Sequence, residues 1–137
     1  MKIHDVREWF TLAEDDFHAV KLMIETERKP LKIISYHCAQ AVEKYLKGFL
    51  EYNNIIPHKT HDLIKILIDC ISIDDSFKSV FNECEVINDY TNEIRYPYGP
   101  QITEDEVFYL IKCVEKIKNL EIFNKIRDDI YEFESQK

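Results

Sequence analysis

The first of three groups of residues suited to chemistry is a polar stripe on one predicted helix. At about 100° per residue, five side chains fall within a sector of about 80°: His37, Gln40, Lys44, Lys47 and Glu51. One imidazole and two ammonium groups on a single ridge favour an anionic ligand such as a phosphate. The alternative interpretation is a packed core histidine beside lysines that extend past neighbouring helices into water.

A second group of candidate residues is the sequence His-Lys-Thr-His-Asp at 58–62. It places two imidazoles and an ammonium group at a predicted helix start, where unpaired backbone N–H groups already favour an anion. In the alternative interpretation Asp62 only complements the helix dipole and Thr60 only caps the helix. No second cluster of metal ligands accompanies His58 and His61 in the sequence, so we predict no metal site.

The third group is Arg95-Tyr96 and the residues that follow it. Residues 97–100, Pro-Tyr-Gly-Pro, cannot continue a helix, so Arg95 and Tyr96 are expected where a helix passes into a loop. An arginine there can bind a phosphate through two parallel hydrogen bonds, and a neighbouring tyrosine can stack on a base. Alternatively, the arginine only donates hydrogen bonds to the carbonyl groups at the helix end, and the corner formed by Tyr96 and Pro97 only packs against neighbouring side chains.

The charge distribution singles out the part of the chain that holds the first two groups. The 137 residues carry 18 Lys and Arg against 26 Asp and Glu, a net charge of −8, which argues against general nucleic-acid binding. Residues 28–65, however, carry a net charge of +4 and three of the five histidines, while the rest carries −12. The sequence therefore predicts one localised anion site, the alternative being an ordinary solvated face.

Glycine and cysteine usage excludes several classes of site. The two glycines, Gly48 and Gly99, are isolated, whereas a dinucleotide-binding turn, a P-loop and a nucleotidyltransferase active site need clustered glycines. The four cysteines, at 38, 70, 84 and 113, form no C-x-x-C pair, and we expect buried thiols. No segment approaches about 18 apolar residues and the N-terminal segment shows no signal-peptide pattern, so we expect a cytoplasmic chain without a membrane span. We also expect no cofactor.

Helical periodicity dominates the chain, and no window shows the alternation typical of strands. Apolar side chains recur three and four residues apart along five segments. The predicted helices are Asp5 to about Arg28, Leu31 to Tyr52, Thr60 to Ile71, Phe77 to about Ile94, and one from Thr103 past Phe123 toward Tyr131. The expected fold class is all-α, an up-and-down bundle of four long helices with one short additional helix, in a single domain over residues 1–137.

Helix starts and one glycine carry further signals. Asp5 opens a variant of the capping box, Thr60 is the expected N-cap of the short helix, and Thr103 opens a full capping box. Gly48 in the middle of the second helix costs about 1 kcal/mol against Ala. A close approach of another helix, within the chain or across a dimer, would explain it, and the alternative is a glycine without a packing role.

Together these elements resemble the HEPN family, the higher eukaryotes and prokaryotes nucleotide-binding domain. The resemblance rests on residues 36–47, Tyr-His-Cys-Ala-Gln-Ala-Val-Glu-Lys-Tyr-Leu-Lys, and on residues 57–63, Pro-His-Lys-Thr-His-Asp-Leu. It includes Trp9, Ala13, Asp16 and Ala19 in the first helix, and Asn-Asp-Tyr at 88–90 leading to Arg-Tyr-Pro at 95–97. It implies an all-α bundle, usually a homodimer, whose inter-helix groove binds nucleotide or RNA phosphates.

Many relatives in that family work beside a separately encoded minimal nucleotidyltransferase, often as toxin and antitoxin. Our leading hypothesis is therefore a non-catalytic HEPN domain with such a partner, because this chain lacks the clustered glycines and paired carboxylates of a nucleotidyltransferase. It would bind a nucleotide or an RNA-like phosphate in a groove lined by eight residues: His37, Gln40, Lys44, Lys47, His61, Asp62, Arg95 and Tyr96.

One departure from the family bears on catalysis. Many HEPN proteins are metal-independent endoribonucleases in which an arginine is followed four to six residues later by a histidine. Here the residues at those offsets from Arg95 are Gly99, Pro100 and Gln101. The histidine that would move protons at the ribose 2′-hydroxyl is absent, although Arg95 can still stabilise the phosphorane charge. Two alternatives stay open: a ribonuclease toxin in which His37 or His61 substitutes, and a helical dimerisation module.

Overall fold

The computed structural model describes residues 2–94, 97–99 and 101–136. Its elements in order are α1 (Ile3–Ile24), α2 (Leu31–Tyr52), α3 (Leu63–Ile73), a 3₁₀ helix (Asp75–Val80), α4 (Phe81–Ile94), α5 (Glu104–Lys118) and α6 (Glu121–Ser135). The prediction of an all-α fold is confirmed. Within the described ranges, no helix is long and apolar enough to cross a bilayer.

The central helix of the bundle is α2, which packs against α1, α3, α4 and α5. Its apolar stripe is buried as predicted, and Tyr45 and Phe49 are among the largest fully buried side chains. The contact with α1 is tight at Gly48, where a Cβ would lie 2.7 Å from Cε1 of Phe10 and 3.1 Å from Cβ of Trp9. The close approach that Gly48 indicated is therefore made by α1 within the chain.

Two helices, α5 and α6, replace the single long helix predicted after Thr103. The carbonyl at the end of α5, on Lys118, accepts a hydrogen bond of 2.8 Å from Nη2 of Arg127 in α6. The turn brings Phe123 into the core, where its ring lies 5.7 Å from Phe10 and 5.6 Å from Tyr45. Ile117 of α5 and Phe123 of α6 are both buried but only six residues apart. In one continuous helix, two residues on the same face would be about seven residues apart, which is two turns. The shorter spacing is the sequence signal that the helix is broken between them.

Helix starts agree only in part with the capping signals. The helix predicted from Asp5 begins two residues earlier, with Lys2 as an N-cap that provides no side-chain bond, so the predicted capping box at Asp5 is wrong. Asp5 instead lies in the first turn, where a carboxylate complements the helix dipole. The capping box of α5 is confirmed: the Thr103 hydroxyl accepts from Glu106 N at 3.2 Å, and the Glu106 carboxylate accepts from Thr103 N at 3.0 Å.

The fourth long helix begins later than predicted. Phe77 and Val80 lie in the 3₁₀ helix, where Oδ1 of Asp74 accepts from Ser76 N at 2.9 Å, and α4 starts only at Phe81. Phe77 and Val80 are still fully buried, because residues three apart in a 3₁₀ helix share one side. Both side chains therefore lie in the core, although the element is a 3₁₀ helix and not the start of the predicted α-helix.

All four cysteines are buried and free, which confirms the prediction of buried thiols. Burial raises the pKa of the Cys38 and Cys84 thiols to about 12, with smaller contributions from nearby ionisable groups. A thiol acts as a nucleophile or metal ligand only after it loses its proton. The cysteines therefore serve the packing of the core.

Candidate functional site

The polar stripe of α2 meets α1 at Asp16, a buried carboxylate. Nδ1 of His37 lies 2.9 Å from Oδ1 of Asp16, and Nζ of Lys44 donates to Oδ2. Because a carboxylate only accepts hydrogen bonds, Nδ1 of His37 carries the proton. We call Asp16, His37 and Lys44 the Asp16 cluster. It joins two predicted site residues of α2 to one carboxylate of α1.

A second cluster with the same kinds of side chain lies between α2 and the start of α3. Nζ of Lys47 donates to Oε2 of Glu43 at 3.0 Å, and Nδ1 of His61 lies 2.9 Å from Oε1 of the same carboxylate. The Lys47 ammonium also lies 5.8 Å from the centre of the Trp9 ring in α1, a cation–π distance. We call Glu43, Lys47 and His61 the Glu43 cluster. Through Trp9 and His61 this cluster connects α2 to α1 and to the start of α3.

The start of α3 is fixed by Asp62 and by a side chain from α4. Asp62 is the N-cap, and its Oδ1 accepts from Ile64 N at 3.0 Å. Nδ2 of Asn88 donates to Asp62 at 3.3 Å, while Oδ1 of Asn88 accepts from Leu63 N at 3.0 Å. The prediction of Thr60 as N-cap is wrong, since its hydroxyl accepts from Asp62 N instead. These bonds hold the backbone next to His61.

We call the polar strip that the two clusters form along α2, where α2 meets α1 and the start of α3, the groove. In it each lysine is paired with a carboxylate, Lys44 with Asp16 and Lys47 with Glu43. With both imidazoles neutral, these six groups carry no net charge, and each protonated imidazole adds one positive charge. The basic stripe seen in the sequence is thus almost balanced by carboxylates in the fold.

The remaining predicted site residues are placed as follows. Gln40 is half-buried on the same ridge of α2 as His37 and Lys44. Arg95 and Tyr96 lie outside the described residues. His58, next to the site in sequence, has its Nε2 3.8 Å from Asp69 of α3 and so faces a different partner from His61.

The ends of α4 and α5 on either side of the segment 95–100 are joined by a hydrogen bond. The hydroxyl of Tyr90 in α4 donates to the carboxylate of Glu106 in α5. This bond, together with those from Thr103, holds the pKa of the Glu106 carboxyl below its usual range. It fixes the two helix ends between which Arg95 and Tyr96 are located in the sequence.

Three residues of the groove were not predicted as site residues: Asp16, Glu43 and Asn88. Glu43 had a local signal, because it precedes Lys47 by four residues, the spacing of a helical ion pair. Asp16 follows Ala13 by three residues and Val20 follows it by four, so it lies at the edge of a buried apolar stripe, where a charged side chain calls for a partner. For Asn88 the apolar spacing gives no signal, since its partners are Asp62 and Leu63 at the start of α3; its only signal is its place in the Asn-Asp-Tyr segment that carries the resemblance.

Comparison with known proteins agrees with the motifs. A family model described as the HEPN domain matches residues 6–126 of the 137-residue chain. The matched range includes every member of the Asp16 and Glu43 clusters. No curated protein and no solved structure gives a significant match.

Proposed function

The chain belongs to the HEPN family, whose functions concern nucleotides or RNA, and on this premise we propose that its groove binds the phosphate group of a nucleotide or of RNA. The observation that carries the proposal is the fixed orientation of two histidines. His37 and His61 each place Nδ1 2.9 Å from a carboxylate oxygen, of Asp16 and Glu43 respectively. The proton on Nδ1 is thus committed to the carboxylate, and Nε2 at the opposite edge of the ring is the atom left for a ligand.

The protonation of Nε2 decides whether the ring attracts an anion. In the neutral ring Nε2 carries a lone pair, which repels an anionic oxygen, whereas in the imidazolium it donates a charge-assisted hydrogen bond. We therefore propose that phosphate binds together with protons taken up by His37 and His61.

The lysines have a different task in this proposal. Lys44 and Lys47 offset the charges of Asp16 and Glu43, which would otherwise repel a phosphate. Gln40, on the same ridge, would add an uncharged amide donor. Asp62 would position His61 by capping α3, and Arg95 and Tyr96 would complete the site from the segment after α4.

The test compares two histidines of equal exposure, three residues apart. The side chains of His61 and His58 are both 67% exposed, but only His61 contacts Glu43. Calorimetric titration of AMP should show about tenfold weaker binding for His61→Ala, the loss of one charge-assisted hydrogen bond, and no change for His58→Ala. Thermal unfolding checks that both variants are folded. Equal affinity of all three proteins, or no binding to the wild type, would overturn the proposal.

The proposed setting is a cytoplasmic homodimer of this single domain that works beside a separately encoded minimal nucleotidyltransferase, as in a toxin–antitoxin pair. The support is the resemblance of the motifs at 36–47 and 57–63 to the family. We propose binding without catalysis because no histidine follows Arg95 at the family's usual offsets. Sedimentation of the pure protein tests the homodimer, and co-purification with the product of an adjacent gene tests the partnership.

A further inference from the structure

Only two residues, Asn119 and Leu120, separate α5 from α6, and we call them the hinge. Neither is glycine or proline, the residues that most often stop a helix. Both have negative φ values, −95° and −55°, so the bend needs no left-handed backbone. The residue types at the hinge therefore permit a continuous helix, in agreement with the single long helix predicted there.

The bend also leaves two helix ends whose backbone groups need partners outside their own helix. At the end of α5 the Lys118 carbonyl accepts a hydrogen bond from the Arg127 side chain. At the start of α6 the N-cap is Leu120, which has no polar side chain to cap the first N–H groups. A continuous helix would pair both sets of groups within the backbone. The bend is therefore maintained by the contacts of α6 with the bundle rather than by the hinge.

An open cleft of about 620 Å³ lies beside the hinge. Its lining includes Asp74 and Ser76 at the start of the 3₁₀ helix, and Leu120 and Ile122 at the start of α6. Leu120 and Ile122 are only half-buried. A change of the hinge backbone therefore costs few buried contacts.

The contacts that hold α6 on the bundle are made largely with α1 and α2. Nε of Arg127 donates to Oε1 of Glu14 in α1 at 3.3 Å, and the hydroxyl of Tyr52 in α2 donates to Asp129. The buried apolar side chains of α6 are Phe123, Ile126 and Ile130. An α6 from a second copy of the chain can make these same contacts, because none of them requires the hinge.

A straightened hinge would turn the apolar face of α6 away from its own bundle. In a continuous helix Phe123 would lie about 120° around the axis from Ile117, which faces the core from α5. One long helix would then carry two apolar faces of different direction. The first stays in its own bundle, and the second requires a site on another copy.

We propose that two copies of this chain exchange α6, each burying its Phe123 face against α1 and α2 of the other copy. The closed chain and the exchanged dimer make the same contacts around α6, so they differ only at the hinge and where the two copies touch. Exchange pairs the backbone groups that the bend leaves apart. The inference rests on the proposed homodimer and gives it a specific contact, and it does not depend on phosphate binding.

Complementary charge variants test the exchange directly. Glu14→Arg and Arg127→Glu each place like charges where α1 meets α6, in a closed chain and in an exchanged homodimer alike. The two variants are mixed, unfolded in urea and refolded together by dilution. An exchanged heterodimer has opposite charges at both contacts, so we expect native mass spectrometry to show it favoured about tenfold over random pairing. In a dimer formed side by side, each α6 stays on its own copy and mixing restores nothing.

A proline at the hinge tests the same inference by a second route. Glu121 is the first residue of α6, where the N–H has no partner within the helix, and the backbone of Leu120 before it is extended. Proline fits that position and prevents a continuous helix. We expect Glu121→Pro to lower the dimer fraction about tenfold in sedimentation. The matched control, Glu121→Ala, removes the same carboxylate and should dimerise like the wild type, and thermal unfolding checks that both variants are folded.

The outcomes separate this inference from the proposed homodimer. Random pairing of the charge variants, or a Glu121→Pro protein that dimerises like the wild type, overturns the exchange of α6 while a side-by-side homodimer stands. A wild-type chain that stays monomeric after refolding at high concentration overturns both the exchange and the homodimer. Phosphate binding by the groove is tested separately and is unaffected by either result.

Discussion

The Asp16 cluster and the Glu43 cluster contain the same three kinds of side chain but bury them differently. In the Glu43 cluster the Lys47 side chain is only 8% exposed, while His61 is largely exposed. In the Asp16 cluster the exposure of Lys44 and His37 is intermediate and similar. A buried ion pair with an exposed histidine thus stands beside a cluster in which lysine and histidine share one environment.

This difference in burial indicates which residues can be substituted without destabilising the packing of the helices around the site. In the Glu43 cluster the buried pair of Glu43 and Lys47 holds the helices, whereas His61, bonded to Glu43 through Nδ1, is exposed enough to contact a ligand. Stability and binding can therefore be altered separately there. In the Asp16 cluster His37 and Lys44 both stabilise the contact between α1 and α2, so a substitution changes both properties.

The largest expected effect is that of Lys47→Met. It leaves the buried Glu43 carboxylate without its ammonium partner, and breaking such a pair costs about 3 kcal/mol of the free energy of unfolding. Urea denaturation measures the loss. The double variant Lys47→Met, Glu43→Leu removes both charges and should recover most of the stability, because an apolar pair can replace a buried ion pair. A single variant as stable as the wild type would show that the Glu43 pair is not structural.

Gly48→Ala should have the next largest effect, because both clusters require α1 to lie close to α2. The added Cβ would lie within 3.1 Å of Cβ of Trp9 and closer still to the Phe10 ring. Because the added Cβ lies only 2.7 Å from the buried Phe10 ring, we expect a cost near the upper end of the roughly 1–3 kcal/mol typical of overpacking, more than the gain of about 1 kcal/mol in helix propensity. The net destabilisation is measured by thermal unfolding. A stabilised Gly48→Ala variant would mean that the helices can separate at little cost.

Lys44→Met should cost less than Lys47→Met, about 1 kcal/mol, because Lys44 and its bond to Asp16 are more accessible to water. The same urea titration compares the two variants directly. Equal losses of stability in Lys44→Met and Lys47→Met would show that the two clusters do not differ in the strength of their ion pairs. The assignment of a structural role to the Glu43–Lys47 pair alone would then be wrong.

The ridge of His37, Gln40, Lys44 and Lys47 could be predicted from the sequence because it depends on one helix alone. The carboxylate that pairs with this ridge, Asp16, could not be predicted. It precedes Lys44 by 28 residues and lies in another helix, whereas periodicity describes one helix at a time. Counting charges by segment therefore gave a basic stretch, whereas the folded groove is nearly balanced. Opposite charges from α1 and α2 meet only when the bundle forms.

The start of α3 shows a similar limit at shorter range. Thr60 and Asp62 are both good capping residues by type, so the local sequence does not decide between them. Asn88 of α4 decides, because it binds both Asp62 and the backbone of Leu63. The spacing of apolar residues was enough to predict the first four helices and their buried faces. It could not predict a helix cap that depends on a side chain from another helix, as the start of α3 depends on Asn88.

The central claim is that protonated imidazoles, rather than lysines, balance the charge of the bound phosphate. It is tested most directly by counting the protons taken up when AMP binds, using calorimetry in two buffers of different ionisation enthalpy. At about pH 7.5, where a typical histidine is mostly neutral, we expect net proton uptake, reduced in His61→Ala. Binding without proton uptake, with equal affinity between about pH 6 and pH 8, would contradict the claim.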